Sequence, residues 1–205
     1  MARDFTAAES SEHNRCFEEA CRLVKGEFHF DGHQAPSIPD SETTHRLQRA
    51  AALFERTLEI NPENVASLFS LARVRLRLGD KEGSLRLLLR AQEVSPFSPG
   101  VARDSIMVAL DLGQLNRAID IARAGLTRMP EDPGILFNLG LVLLCSGCPQ
   151  EAESAFSKAA DLEPENPITP KLVQLCELVA IGRLPPVRTE RDVAMAVGKL
   201  SVPSH

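Results

Sequence analysis

Three groups of residues in this chain are of types that do chemistry, and their spacing decides which chemistry is open to them. His29, Asp31 and His33 stand at alternate positions in the segment FHFDGH. Alternation puts every second side chain on one side of an extended backbone, so the three could offer ligands to a single metal ion. The plainer reading, a polar loop carrying two histidines, is preferred, and no metal and no cofactor is expected. Cys145 and Cys148 form a lone C-x-x-C. A redox pair would need a strand and then a helix N-terminus to lower a thiol pKa, and structural zinc would need a second ligand pair. Here the two cysteines straddle Gly147 and no second pair is present, so they read as small side chains at a tight turn. Cys16 with His13 makes no better case for a nucleophile and its base. The chain also has no GxxxxGKS/T, no strand-borne GxGxxG, no GxSxG and no HExxH, so no enzyme is expected.

Composition narrows the classes further. The 205 residues are 43% apolar and 25% charged, ordinary for a globular protein and wrong for a disordered one. Lys plus Arg is 23 against 28 Asp plus Glu, a net charge of −5, which argues against a nucleic-acid partner. No apolar run reaches the roughly 18 residues of a membrane helix, so no membrane insertion is expected. The start, MARDFTAAESSEHNR, lacks the hydrophobic stretch of a secretion signal, and five cysteines make an odd number. Together these give a cytoplasmic, reducing setting as the expectation.

What must position any functional residue is a repeat. Pro62, Pro96, Pro130 and Pro164 are 34 residues apart, and so are Gly79, Gly113 and Gly147. Asn64, Ser98, Asp132 and Asn166 follow the same period and are good N-cap residues. Pro99, Pro133 and Pro167 come directly after three of them, at the first helical position, where a missing N–H costs nothing. The glycines fall where a helix ends in the left-handed conformation. Second helices are then expected over 81–94, 115–128 and 149–162. Small residues recur in them at Ala50, Ser84, Ala118 and Ala152, with Phe54, Leu88, Ala122 and Phe156 four positions on. Small side chains let paired helices approach, and larger ones fill the gap to the next pair. Leu68, Leu71, Leu136 and Leu139 lie on one face of the first helices.

On these residues the chain resembles the tetratricopeptide repeat family over about 44–166, most clearly in LFNLGLVLLCSGCPQEAESAFSKAADLEP at 136–164. The unit at 99–132 departs from the family pattern at Ala102, Ser105 and Ile106. The resemblance implies an all-α, right-handed superhelical solenoid of antiparallel helix pairs with a C-terminal closing helix. The expected organisation is a disordered 1–8, a helical array over 9–182 and a flexible tail over 183–205 that could hold a short helix. The array comprises a degenerate first unit at 9–60 with an inserted loop at 27–43, repeats at 65–98, 99–132 and 133–166, and the closing helix at 167–182. Pro36 and Pro39 keep the insertion from being helical. Phe28 and Phe30 within it could fold back over the array as a built-in ligand.

The resemblance also implies a use. First helices of the family line a groove that holds peptides or partner helices. Carried onto this sequence, that groove is lined by Ala66, Phe69, Ser70, Arg73 and Arg77, then Arg103, Asp104, Met107 and Asp111, then Phe137, Asn138, Leu141 and Cys145. Arginine, phenylalanine and methionine suit protein contacts. Only Asn138 matches the carboxylate clamp of the chaperone-binding subgroup, so a chaperone tail is not the expected ligand. The expectation is a non-catalytic scaffold or adaptor for a protein or peptide partner. Alternatives are a small export- or assembly-type, co-chaperone-like protein, or a self-assembling module. The closing helix motivates the last of these. Leu172, Leu175 and Val179, with Val173, Cys176, Leu178 and Ile181, spread apolar surface around it, so something must pack there. The tail 186–205, with Val193, Val197 and Leu200 on one weak face, and another chain forming a homo-oligomer are the two candidates.

Overall fold

The computed structural model of the protein describes residues 5–27 and 38–200. His29, Asp31, His33, Phe28 and Phe30 lie outside the described residues. Ten helices are present among the described residues, and no strand. The chain falls into two units, Met1–Ser95 and Pro96–His205. The first holds α1 (Ala7–Leu23), α2 (Ser41–Ile60), α3 (Val65–Arg77) and α4 (Lys81–Val94). The second holds α5 (Pro99–Asp111), α6 (Leu115–Arg128), α7 (Pro133–Cys145), α8 (Pro149–Leu162), α9 (Thr169–Ala180) and α10 (Glu190–Val197).

The repeat chemistry acts where the spacing places it. Gly147 has φ +81°, and there its N–H bonds to the Leu144 carbonyl at 3.1 Å while Cys148 N–H reaches Leu143 at 2.9 Å. That pair of bonds satisfies the last carbonyls of α7 and reverses the chain into α8. The same pair recurs after α3 and α5. At the helix starts Asn64 Oδ1 accepts from Ser67 N and Asp132 Oδ1 from Ile135 N, both at 2.8 Å. Ser98 makes no side-chain cap bond.

Three boundaries differ from expectation, the first being the end of the inserted loop, which stops at 40 and not 43 because Asp40 caps α2 by accepting from Thr43 N at 2.7 Å. Residues 7 and 8 are not disordered but form the first turn of α1, because Thr6 and Glu9 close a capping box. The closing helix starts at Thr169, not at residue 167. A helix capped by Asn166 would take its first bond from the N–H of residue 170, and Pro170 has none. Starting two residues later puts Pro170 in the first turn, where the first bond is Leu172 N to the Ile168 carbonyl at 3.1 Å. Asn166 instead accepts from Ile168 N at 3.0 Å.

Small residues and large ones alternate through both cores. Ala50, Ala118 and Ala152 are fully buried, and so are Phe54 and Phe156. In the first unit α1 packs on α2, and Phe17 meets Phe54 edge-on at 5.9 Å. Thr57 Oγ1 sits 2.7 Å from the Ser67 hydroxyl, a buried polar link between α2 and α3. In the second unit a Cβ on Gly140 would stand 2.7 Å from the Phe156 ring, so the bare backbone of α7 is what lets that ring lie flat against it.

Of the two candidates to cover the closing helix, the tail is the one packed on it. Leu172, Leu175 and Cys176 are 1%, 0% and 0% exposed, because α9 packs on α8 and α10 packs on α9. Leu172 and Leu175 are therefore core residues and cannot meet another chain. Val179 is half-buried, and Ile181 is exposed.

Candidate partner-binding site

In the first unit α3 carries Phe69, Ser70, Arg73 and Arg77. The Arg73 guanidinium carbon stands 4.1 Å from the Phe69 ring centroid, where the ring's negative face attracts the cation. Arg77 is only 14% exposed, with Nε 3.7 Å from Glu27 Oε2. Glu27 also accepts from Arg46, so one carboxylate just beyond α1 ties α2 and α3 together. Ser70 is half-buried beside them. An open cleft lined by Glu55, Arg75, Asp80, Arg86 and Arg90 offers no separate site. Arg75 is paired with both Glu55 and Asp80, and Arg90 donates to the Pro62 carbonyl at 2.7 Å.

In the second unit α5 and α7 present the other expected residues. Arg103 donates twice to Asp132, Nε at 2.9 Å and Nη2 at 2.7 Å, in a two-pronged pair. Burial would push the Asp132 carboxyl up, but the Arg103 guanidinium and the N–H groups of Ile135 and Gly134 outweigh it and hold it below the usual range. Asn138 Nδ2 donates to the Arg103 carbonyl at 3.3 Å. These two residues therefore join one repeat to the next. Phe137 meets Phe156 edge-on at 5.6 Å and is half-buried, as are Asp104 and Met107. Leu141 and Cys145 are buried, each 6% exposed.

The helix α10 lies on this same face, against α7 and α9. Thr189 and Asp192 close its capping box, and Val187 and Val193 are buried at 6% and 3%. Its first turn lies near the ends of α7 and α5. Burial pushes the Cys145 thiol up to about 11, and the charges of Glu190 and Asp192 add to the shift. Although Glu190 keeps more than a third of its surface in water, crowding around its carboxyl raises its pKa, with the Asp111 charge second.

Neither cysteine of the C-x-x-C is poised for chemistry. Cys145 ends α7, Cys148 is the cap residue of α8 without a side-chain cap bond, and all five thiols are free. A thiol pushed up to about 11 is protonated at neutral pH and a poor nucleophile. His13 Nε2 faces the Asn64 side-chain amide at 3.1 Å, on the cap of α3. No group of three or more potential metal ligands occurs among the described residues. No helix among them is long and apolar enough to cross a membrane.

Sequence reasoning missed three participants. Asp132 reads as a cap, and nothing at its position signals the arginine 29 residues upstream. Glu27 sits at the edge of the insertion with no pattern around it. Glu190 begins a helix whose apolar face is weak, so its place beside Asp111 and Cys145 has no local signal.

These pairs, turns and caps define a helical-repeat protein. Family models of the tetratricopeptide repeat match residues 44–103 and, separately, 133–166. The chain is a tetratricopeptide repeat protein. Among solved structures it is similar to MamA from Desulfovibrio magneticus RS-1, at 15% identity and TM-score 0.66 over 96% of this chain and 94% of that one. A tetratricopeptide repeat protein from Parabacteroides merdae gives 16% identity and TM-score 0.68 over 92% and 67%. A thermophilic one from Thermus thermophilus gives 18% and 0.57 over 91% and 97%. At these identities the likeness is one of fold. No curated protein matches the sequence.

Proposed function

We propose that the protein is a non-catalytic interaction module that holds a helix or peptide of a protein partner on the α5–α7 face of its second unit. Phe69 with Arg73 on α3 offers a further contact point in the first unit. The observation that carries this reading is that the α5–α7 face leaves Met107 and Phe137 half-exposed while a helix, α10, already lies against α7. Half-exposed methionine and aromatic side chains on a rigid helical face suit the helix-in-groove mode of recognition. Arg103 and Asn138 act first as supports of the face, since Nε and Nη2 of Arg103 hold Asp132 and Asn138 Nδ2 donates to the Arg103 carbonyl. The self-assembly reading is weaker, because Leu172 and Leu175 are buried within the chain itself.

The test is affinity capture from lysate with the tagged full-length protein, wild type beside Met107→Glu and Phe69→Ala. Circular dichroism checks that each variant keeps its helix content. Loss of a specific protein in the Met107→Glu capture is the expected result. Identical captures with all three proteins would overturn the reading.

A further inference from the structure

The same repeat position is open in one helix of the second unit and closed in the next. Met107 is half-buried and Asp111 exposed, whereas Leu141 and Cys145, each 34 residues later, are both 6% exposed. One repeat further on, Leu175 is 0% exposed. The helix α10 packs on α7 and α9, the two helices where the position is closed. It is fixed by few residues. Val193 is its buried residue, Val187 just before its cap is a second anchor, Thr189 and Asp192 cap it, and Met195 on its outer side is 53% exposed.

Its seat is also charged against it. Glu190 faces Asp111 from α5, and Glu190 and Asp192 both bear on Cys145 from α7. An eight-residue helix is too short to persist alone in water, so α10 owes its order to this face. Short length, two anchors and like charge at one end make a seat from which a helix can leave at small cost.

We propose that the α7–α9 face is a receptor for one short amphipathic helix, that α10 is its resident occupant, and that a partner's helix binds by displacing it. This rests on the interaction-module reading above and extends its contact face from α5–α7 across α7 to α9. The α10 pattern is the template for that ligand. It has a Thr or Ser cap, an acidic third position and valine-type anchors spaced as Val187 and Val193, without an acidic residue facing Asp111. The cost of removing α10 is common to all partners, so apparent affinity falls by the fraction of time the seat is occupied.

The experiment uses the full chain and reads Cys145 directly. Alkylation by a small maleimide at pH 7.5, mapped by mass spectrometry with Cys148 as internal reference, reports whether α10 is seated. Val193→Asp should label Cys145 faster than wild type by about ten-fold or more, and the milder truncation Val193→Ala, which leaves every charge near the thiol in place, should speed it by a smaller factor. A fluorescent peptide of sequence PVRTERDVAMAVGKL, residues 186–200, should then bind Val193→Asp about ten-fold more tightly than wild type and restore protection of Cys145. Equal labelling of Cys145 in wild type and Val193→Asp would overturn the proposal. So would unchanged or slower labelling in Val193→Ala, which stays informative if Val193→Asp fails to fold. Exposure of Cys145 without rebinding of the peptide would overturn the receptor claim. The interaction-module reading would survive that result if Met107→Glu still loses its partner. A doubled molecular mass of the wild type that falls to monomer in Val193→Asp would assign α10 to a second copy and overturn its place as resident occupant.

Discussion

Asp132 does two jobs with one carboxylate, and the two can be separated by substitution. It caps α7 through Ile135 N at 2.8 Å, and it takes both prongs of Arg103 at 2.7 and 2.9 Å. Losing an N-cap costs about 1 kcal/mol. The ion pair is worth about another 1 kcal/mol and no more, since the Arg103 side chain is 42% exposed and water screens it. Asp132→Ala removes both and should cost about 2 kcal/mol, while Asp132→Asn keeps a cap and should cost about 1 kcal/mol. Arg103→Met should cost as much as Asp132→Asn, and the double variant Arg103→Met/Asp132→Asn should cost little more than either single one. Urea denaturation followed by circular dichroism at 222 nm is the assay, because the chain has no Trp or Tyr to report by fluorescence.

The pH dependence gives an independent check with a fixed sign. The Asp132 carboxyl is held below its ordinary 3.8 in the folded protein, so its contribution is complete above that value and is lost as pH falls through the lower, folded one. The stability gap between wild type and Asp132→Asn should stay constant from neutral pH down to about 5 and close below about 4. An Asp132→Asn protein as stable as wild type at pH 7, or a gap that widens in acid, would refute the assignment of Arg103 to structure.

Gly140→Ala should lose about 1 kcal/mol, since overpacking against Phe156 at about 1–3 kcal/mol outweighs the roughly 1 kcal/mol that alanine adds to a helix. In a Phe156→Leu background the ring is gone and the same change should be stabilising, which paired denaturation curves will show. Thr57→Val should cost about 1–3 kcal/mol by leaving the buried Ser67 hydroxyl without its Thr57 partner. An unchanged urea midpoint for Thr57→Val would show that Ser67 finds another acceptor.

Much of the fold is legible because it is written in local chemistry. The glycine that ends a first helix and the cap that starts the next act over a few residues, so α4, α6 and α8 begin and end at the residues their spacing predicts. The start of α9 is set by Pro170, a residue outside the repeated pattern, and it falls two positions from the periodic expectation. The apolar girdle of α9 signals in sequence that something covers it, and the weak face of Val193 and Val197 leaves open whether the tail or another chain does so. In the folded chain α10 packs on α9 and Val193 is buried.

The candidate site divides along the same line. Met107 and Phe137 fall on the outward side of their helices as the period requires. The candidate arginines Arg73, Arg77 and Arg103 look identical in sequence to ligand-seeking arginines. They differ by what faces them, which is the Phe69 ring, Glu27 and Asp132 respectively. A carboxylate 29 residues away leaves no trace in a local pattern.

The central claim is that partners are held on the α5–α7 face of the second unit. Hydrogen-exchange mass spectrometry of the full chain, alone and with its captured partner, tests that claim most directly. The account predicts new protection in the α5 and α7 segments around Met107 and Phe137, lost with Met107→Glu. Protection confined to the opposite helices α6 and α8, with α5 and α7 exchanging as in the free protein, would contradict it.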